Sequence, residues 1–196
     1  MGAGDYRVHA VVAAIPLKPR IRVACLTVLG IGIEFARVVA ARDPALALPA
    51  LLGGGLALCL LAVGTPPERL GLGRDRLPGR LLGGAALAAV LLLPAAVRWH
   101  GGPELGTGWA VAAAAVSIGE EVAFRGALFA AIEEAAGGPA AVVGSTLAWT
   151  VAHVLSHPPS FLPAVIGAGL VLGVWRWRFR DLIGPILAHV VADLAL

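Results

Sequence analysis

Long unbroken runs of alanine, valine, leucine, isoleucine and glycine alternate along this chain with short polar segments rich in arginine. The runs lack the residue-by-residue alternation that marks a transmembrane strand. A helix crossing a bilayer needs about 20 mostly apolar residues, because each rises about 1.5 Å through a hydrocarbon core about 30 Å thick. Read at that length, the pattern predicts spans at roughly 21–41, 44–63, 80–97, 108–132, 139–157, 160–175 and 182–196. The expected fold is all-α: a polytopic transmembrane helical bundle of about seven spans, the last two short.

Composition points the same way. Of 196 residues, 59% are hydrophobic and only 14% charged, and the mean hydropathy is +0.88, more apolar than a soluble domain of this length requires. The net charge of +3 implies no nucleic-acid partner, because the basic residues gather between spans. Arg7, Lys18, Arg20 and Arg22 precede the first, Arg69, Arg74, Arg76 and Arg80 separate the second and third, and Arg176, Arg178 and Arg180 separate the sixth and seventh. Arg37, Arg42 and Arg98 fall on the opposite side. By the positive-inside rule the amino terminus is cytoplasmic and the carboxy terminus outside.

Pro16 and Pro19, with Glu34 and Arg37 in the first span, make that span a retained helix rather than a cleaved signal. Gly64–Arg80 reads as a Gly/Pro-punctuated loop, which leaves one integral membrane domain over 1–196 in the cell membrane. Cys25 and Cys59 lie inside spans and read as packing residues.

Charges within such spans are the informative residues. Burying one at the bilayer centre costs about 2.5–3.5 kcal/mol, so it faces the protein interior and marks a site. Glu121 and Arg125, four residues apart with the acid first, share a helix face and read as a structural ion pair. Adjacent helical residues point about 100° apart, so Glu120 is left without a partner on its own helix and suits general acid or base work. His153 shares a face with Trp149 and His157, each one turn away, and His189 shares one with Asp193. Asp193 could accept from one imidazole nitrogen and leave the other to act. His157, before Pro158 and Pro159, reads as an interfacial cap; Glu34 and Arg37 pair with each other; Glu133 and Glu134 are solvated at a helix end.

Glu120-Glu121-Val122-Ala123-Phe124-Arg125, Trp149-x-x-x-His153 and His189-x-x-x-Asp193 resemble, in order, the EExxxR, FxxxH and Hxxx(N/D) motifs of the CPBP family. These are intramembrane glutamic proteases related to type II CAAX prenyl endopeptidases and to bacteriocin-processing and self-immunity proteins. The resemblance covers roughly residues 108–196. It implies an endopeptidase acting on a peptide or lipidated-protein substrate in the membrane, without metal, other cofactor or covalent intermediate. It further implies that Glu120 and His153 activate a water, while His189 and position 193 stabilise the oxyanion.

Two positions depart from the motifs. Trp149 stands where phenylalanine is usual, a change expected to alter only packing beside His153. Asp193 stands where many members have asparagine, and an ionised aspartate cannot donate to an oxyanion. Either Asp193 is protonated or it orients His189, which alone donates; the second is the working expectation.

Two other readings use the same residues. A zinc-dependent membrane protease would take Glu120, His153 and His189 as ligands, although HExxH is missing. A non-enzymatic transporter or immunity-type binding protein would use them as a proton relay, although the chain shows no inverted repeat.

Overall fold

The computed structural model describes residues 18–73, 76–96 and 105–195. All regular structure among these residues is helical: α1 (Pro19–Ala40), α2 (Ala47–Leu60), the single turn α3 (Pro67–Leu70), α4 (Leu77–Ala96), α5 (Thr107–Glu120), α6 (Phe129–Ala136), α7 (Gly138–Ala152), α8 (Leu162–Phe179) and α9 (Ile183–Ala195). Arg7, Pro16, Arg74 and Arg98 lie outside the described residues.

Each apolar run read from the sequence is helical where described, but several helices stop early. The stretch expected at 44–63 gives up its helix after Leu60, ahead of Gly64 at φ +80° and the Pro66–Pro67 pair. That expected at 139–157 stops at Ala152, ahead of Pro158 and Pro159. Among the described residues two segments are long and apolar enough to cross a bilayer: Pro19–Ala40, with 22 residues, and Pro159–Phe179, with 21, the latter opening on the short 3-10 turn Pro159–Phe161. By contrast α2, α7 and α9 have 14, 15 and 13 residues, a rise of about 20 Å each.

The centre of the fold is one continuous helical rod, Thr107–Ala136. It begins as α5, widens into a π-helical stretch over Glu121–Leu128, and resumes as α6. Gly137, at φ +86°, ends it, a conformation that glycine adopts without steric cost. The rod is surrounded by α1, α2, α7 and α9, with α4 packed on α9 and α8 on α7. Leu58, Phe124, Leu128, Trp149 and Val165 form the largest apolar cluster.

Polarity is inverted relative to a water-soluble domain. Val28, Val63 and Leu82 are 69%, 74% and 75% exposed, while Glu34, Glu120, Glu121, Arg125, His153, Arg176, Asp181 and His189 are buried. Apolar groups outside and paired polar groups within are what a lipid solvent selects.

The basic segments meet at one end of the bundle, as their shared side in the sequence pattern predicts. Arg22 donates to Thr65 Oγ1 (2.7 Å), Arg69 pairs with Glu134 (2.5 Å), Arg180 lies 3.6 Å from Glu133, and Leu182 N–H donates to Gly71 O (3.0 Å). Two expectations are corrected here. Glu133 and Glu134 are ion-paired rather than simply solvated. Arg176 is no loop residue: it sits in α8, 1% exposed, donating to Arg125 O (3.2 Å) and Arg69 O (2.6 Å). A guanidinium carries five donors on a long stem, so it reaches a carbonyl of the rod and one of α3 at once.

The closest helix approach joins α2 to α5 through facing glycines. A Cβ on Gly55 would strike the Ala115 carbonyl, and one on Gly119 would strike the Gly55 carbonyl. Gly55→Ala and Gly119→Ala are therefore each expected to destabilise the fold by about 1–3 kcal/mol, the range for overpacking. Gly53→Ala, which meets nothing within 4 Å, should be neutral. Unfolding in detergent micelles compares the three.

Candidate functional site

The first element of the site is the ion pair that the sequence predicts. Arg125 Nη1 donates to Glu121 Oε1 at 3.1 Å, with both side chains fully buried. The Arg125 guanidinium also lies 3.9 Å from the centroid of the Trp149 ring, a cation–π contact that offsets part of its desolvation. Among the described residues, Arg125 Nε and Nη2, Glu121 Oε2 and Thr146 Oγ1 have no hydrogen-bond partner.

Glu120 faces elsewhere, as expected from its adjacent position, and its partners come from α1 and α7. Trp149 Nε1 donates to Glu120 Oε2 at 2.6 Å. Trp149 therefore does more than alter packing: phenylalanine at this position would have no donor. The same Oε2 lies 3.6 Å from His153 Nε2. His153 Nδ1 lies 2.8 Å from Trp149 O; a carbonyl only accepts, so Nδ1 carries the hydrogen. In the neutral ring Nε2 is then a lone pair directed at the carboxylate region. Glu120 Oε1 lies 3.4 Å from Arg37 Nη2, and Arg37 also binds Glu34. The Glu34–Arg37 pair is thus present as expected, but it is not confined to α1.

The α9 residues converge on the same region. His189 Nδ1 lies 2.9 Å from Glu121 Oε1, while its Nε2 lies 3.5 Å from Asp193 Oδ2. Asp193 thus lies beside one imidazole nitrogen as its spacing predicts, but the closer hydrogen bond to the ring comes from Glu121, and Asp193 is also engaged by Ser117 Oγ at 2.7 Å. The His189 and His153 rings both meet the Trp149 ring edge-on, at 5.5 and 4.5 Å. α9 is held at its start by Asp181, which accepts from Ile183 N–H and Gly184 N–H (both 3.0 Å) and from Trp175 Nε1 (3.0 Å). His157 stacks between the rings of His153 and Phe161, so it extends an aromatic column rather than capping alone.

Glu120, Glu121, Arg125, Trp149, His153, His189 and Asp193 therefore share one region, with Glu34, Arg37 and Ser117 added to it. Residues 103–195 match the family model described as Type II CAAX prenyl endopeptidase Rce1-like. This stretch of the chain is similar to the Rce1-like family. That similarity accords with the CPBP resemblance, and Rce1-like proteins are membrane proteases. No curated protein and no solved structure matches the chain. All three motifs lie inside the Rce1-like segment; Glu34 and Arg37 lie outside it. Among the described residues no group of three His, Cys, Asp or Glu side chains is arranged to hold a metal ion.

Arg37 could have been suspected from the sequence as a second buried cation in an apolar run, but nothing in its spacing connects it to Glu120, 83 residues away. Ser117 carried no signal beyond being a small polar residue one turn before Glu121.

Removing one partner of a buried ion pair strands the other charge, at a cost of about 3–5 kcal/mol. Arg125→Met should show that loss in detergent unfolding, and adding Glu121→Gln to it should recover part of it. A single-mutant loss below about 1 kcal/mol would contradict the buried-pair assignment.

Proposed function

We propose that this chain is an intramembrane endopeptidase in which Glu120 and His153 activate a water for attack on a peptide carbonyl of a membrane-associated substrate. The observation that carries this reading is the 3.6 Å separation of Glu120 Oε2 and His153 Nε2. Two acceptors so placed can each take a hydrogen from one water, which leaves an oxygen lone pair free for the carbonyl carbon. One proton passes to the Glu120–His153 pair as the C–O bond forms, and it is then delivered to the departing amine as the C–N bond breaks. No acyl-enzyme is formed.

The developing oxyanion needs a donor in a site shielded from bulk water. His189 is the candidate: a ring protonated at both nitrogens would hold Glu121 through Nδ1 and offer Nε2–H to the substrate oxygen. Asp193, engaged by Ser117, flanks that nitrogen. Glu121 and Arg125 keep the rod, and with it Glu120, in register.

The seven long helices are read as a single multi-pass domain of the cell membrane, with the turns after α2 and α7 completing the crossing of those shorter helices. A CAAX-type or other lipidated peptide is the substrate class suggested by the Rce1-like segment.

Glu120→Gln and His153→Ala should each lower cleavage of prenylated and unmodified membrane peptides by at least about 100-fold, the range for a general acid–base group, in protein that remains folded. A chelator should leave wild-type activity intact. Activity lost to chelation and restored by zinc would instead favour the metalloprotease, and folded protein without turnover would favour a binding or transport role.

Trp149→Phe keeps an aromatic ring against Arg125 but removes the hydrogen bond to Glu120. A charge-assisted bond of that kind is worth about 1.5–3 kcal/mol, so a fall in kcat of about 10- to 100-fold is expected. Steady-state kinetics on the folded variant measures it.

A further inference from the structure

The hydrolytic reading leaves the Glu120 carboxylate with one oxygen accounted for. Oε2 accepts from the Trp149 indole and faces His153; Oε1 faces Arg37, at 3.4 Å. Arg37 comes from α1, outside the Rce1-like segment at 103–195. Two independent features aim it. Glu34, 1% exposed, takes two guanidinium nitrogens, Nε at 3.3 Å on one carboxylate oxygen and Nη2 on the other. This fork fixes the plane of the guanidinium, which a single contact would not do. The stem of Arg37 lies against Gly54 of α2, where an added Cβ would fall 2.6 Å from Cδ and 2.9 Å from Cγ. The side chain can therefore lie inward only because residue 54 has no side chain of its own.

We infer that Arg37 is a positioning residue for Glu120: clamped by Glu34 and seated on Gly54, it holds the carboxylate so that Oε2 presents to the water shared with His153. This inference rests on the hydrolytic reading above. It makes α1 part of the working site, although the site's motifs all lie on α5, the π-helical stretch, α7 and α9. A carboxylate tethered at one oxygen alone can swing about its Cγ–Cδ bond; tethered at both, it cannot. Misplacing a reacting group by about 1 Å costs about 100-fold in rate.

The test compares Arg37→Gln, Arg37→Lys, Arg37→Ala, Glu34→Gln and Glu120→Gln in the full chain, purified in detergent, on a membrane-peptide substrate. Arg37→Gln should lower kcat by about 100-fold while KM changes less than about threefold, because the contact acts on the reacting group and not on substrate binding. Arg37→Lys keeps the charge but not the fork and should recover about tenfold of that loss. Added guanidinium ion should raise the activity of Arg37→Ala and leave Glu120→Gln inactive, a response that a purely structural role would not give.

Wild-type kcat in Arg37→Gln would overturn the inference. So would a loss that follows the unfolded fraction and is recovered by neither lysine nor guanidinium. Should Arg37→Gln fail to fold, the near-isosteric Glu34→Gln decides: a kcat three- to tenfold below wild type is expected, and an unchanged kcat overturns the proposal. Activity retained in Glu120→Gln would instead remove the hydrolytic reading itself, so the two failures are distinguishable.

Discussion

A charge removed from water must find its counter-charge within a few ångströms or cost several kcal/mol, and the interior of this bundle is arranged around that demand. Glu121 and Arg125 meet it for each other on one helix, both without solvent exposure. Their pairing fixes how the central rod is rotated. Because Glu120 is the next residue back, the rotation that satisfies Glu121 necessarily turns Glu120 toward α1 and α7. The candidate reactive acid is thus aimed by its neighbour's electrostatics.

The π-helical stretch serves the same division. It begins at Glu121, immediately after Glu120, so two adjacent carboxylates stand at the junction of two helical geometries. Wide turns of this kind often accompany functional sites, because they alter where side chains and carbonyls point. Here Arg176 binds the carbonyl of Arg125 within that stretch, and α9 supplies His189 to Glu121. Two helices, α8 and α9, are therefore joined to one irregular segment by polar contacts made in an apolar setting, where such contacts are hardest to exchange for water.

What could be read in advance follows the range of each signal. Helical runs and the Glu121–Arg125 pair are local, set by about 20 apolar residues or by a four-residue spacing, and both are found. The meeting of Glu120, His153 and His189 follows from the shared rule that buried polar groups seek each other. The identity of individual partners does not. Periodicity places His189 beside Asp193, and they are neighbours, yet the closer bond goes to Glu121 on another helix. Arg176 lies in a run of arginines that reads as a loop, whereas carbonyls on distant elements, those of Arg125 and Arg69, receive it inside. Trp149 reads as a larger phenylalanine until its N–H is seen to face a carboxylate. In each case the deciding contact spans elements whose relative placement only tertiary packing sets.

Trp149 joins the acid and the imidazole through separate parts of one amino acid: its main-chain carbonyl receives the ring of His153, and its indole holds Glu120. The gap between those two groups is consequently gauged by covalent bonds inside a single residue. Helices in a fluid bilayer slide and breathe against one another, and a spacing set only by their packing would drift with every such movement. A spacing tethered this way travels with α7, so the pair can stay matched while the surrounding helices shift.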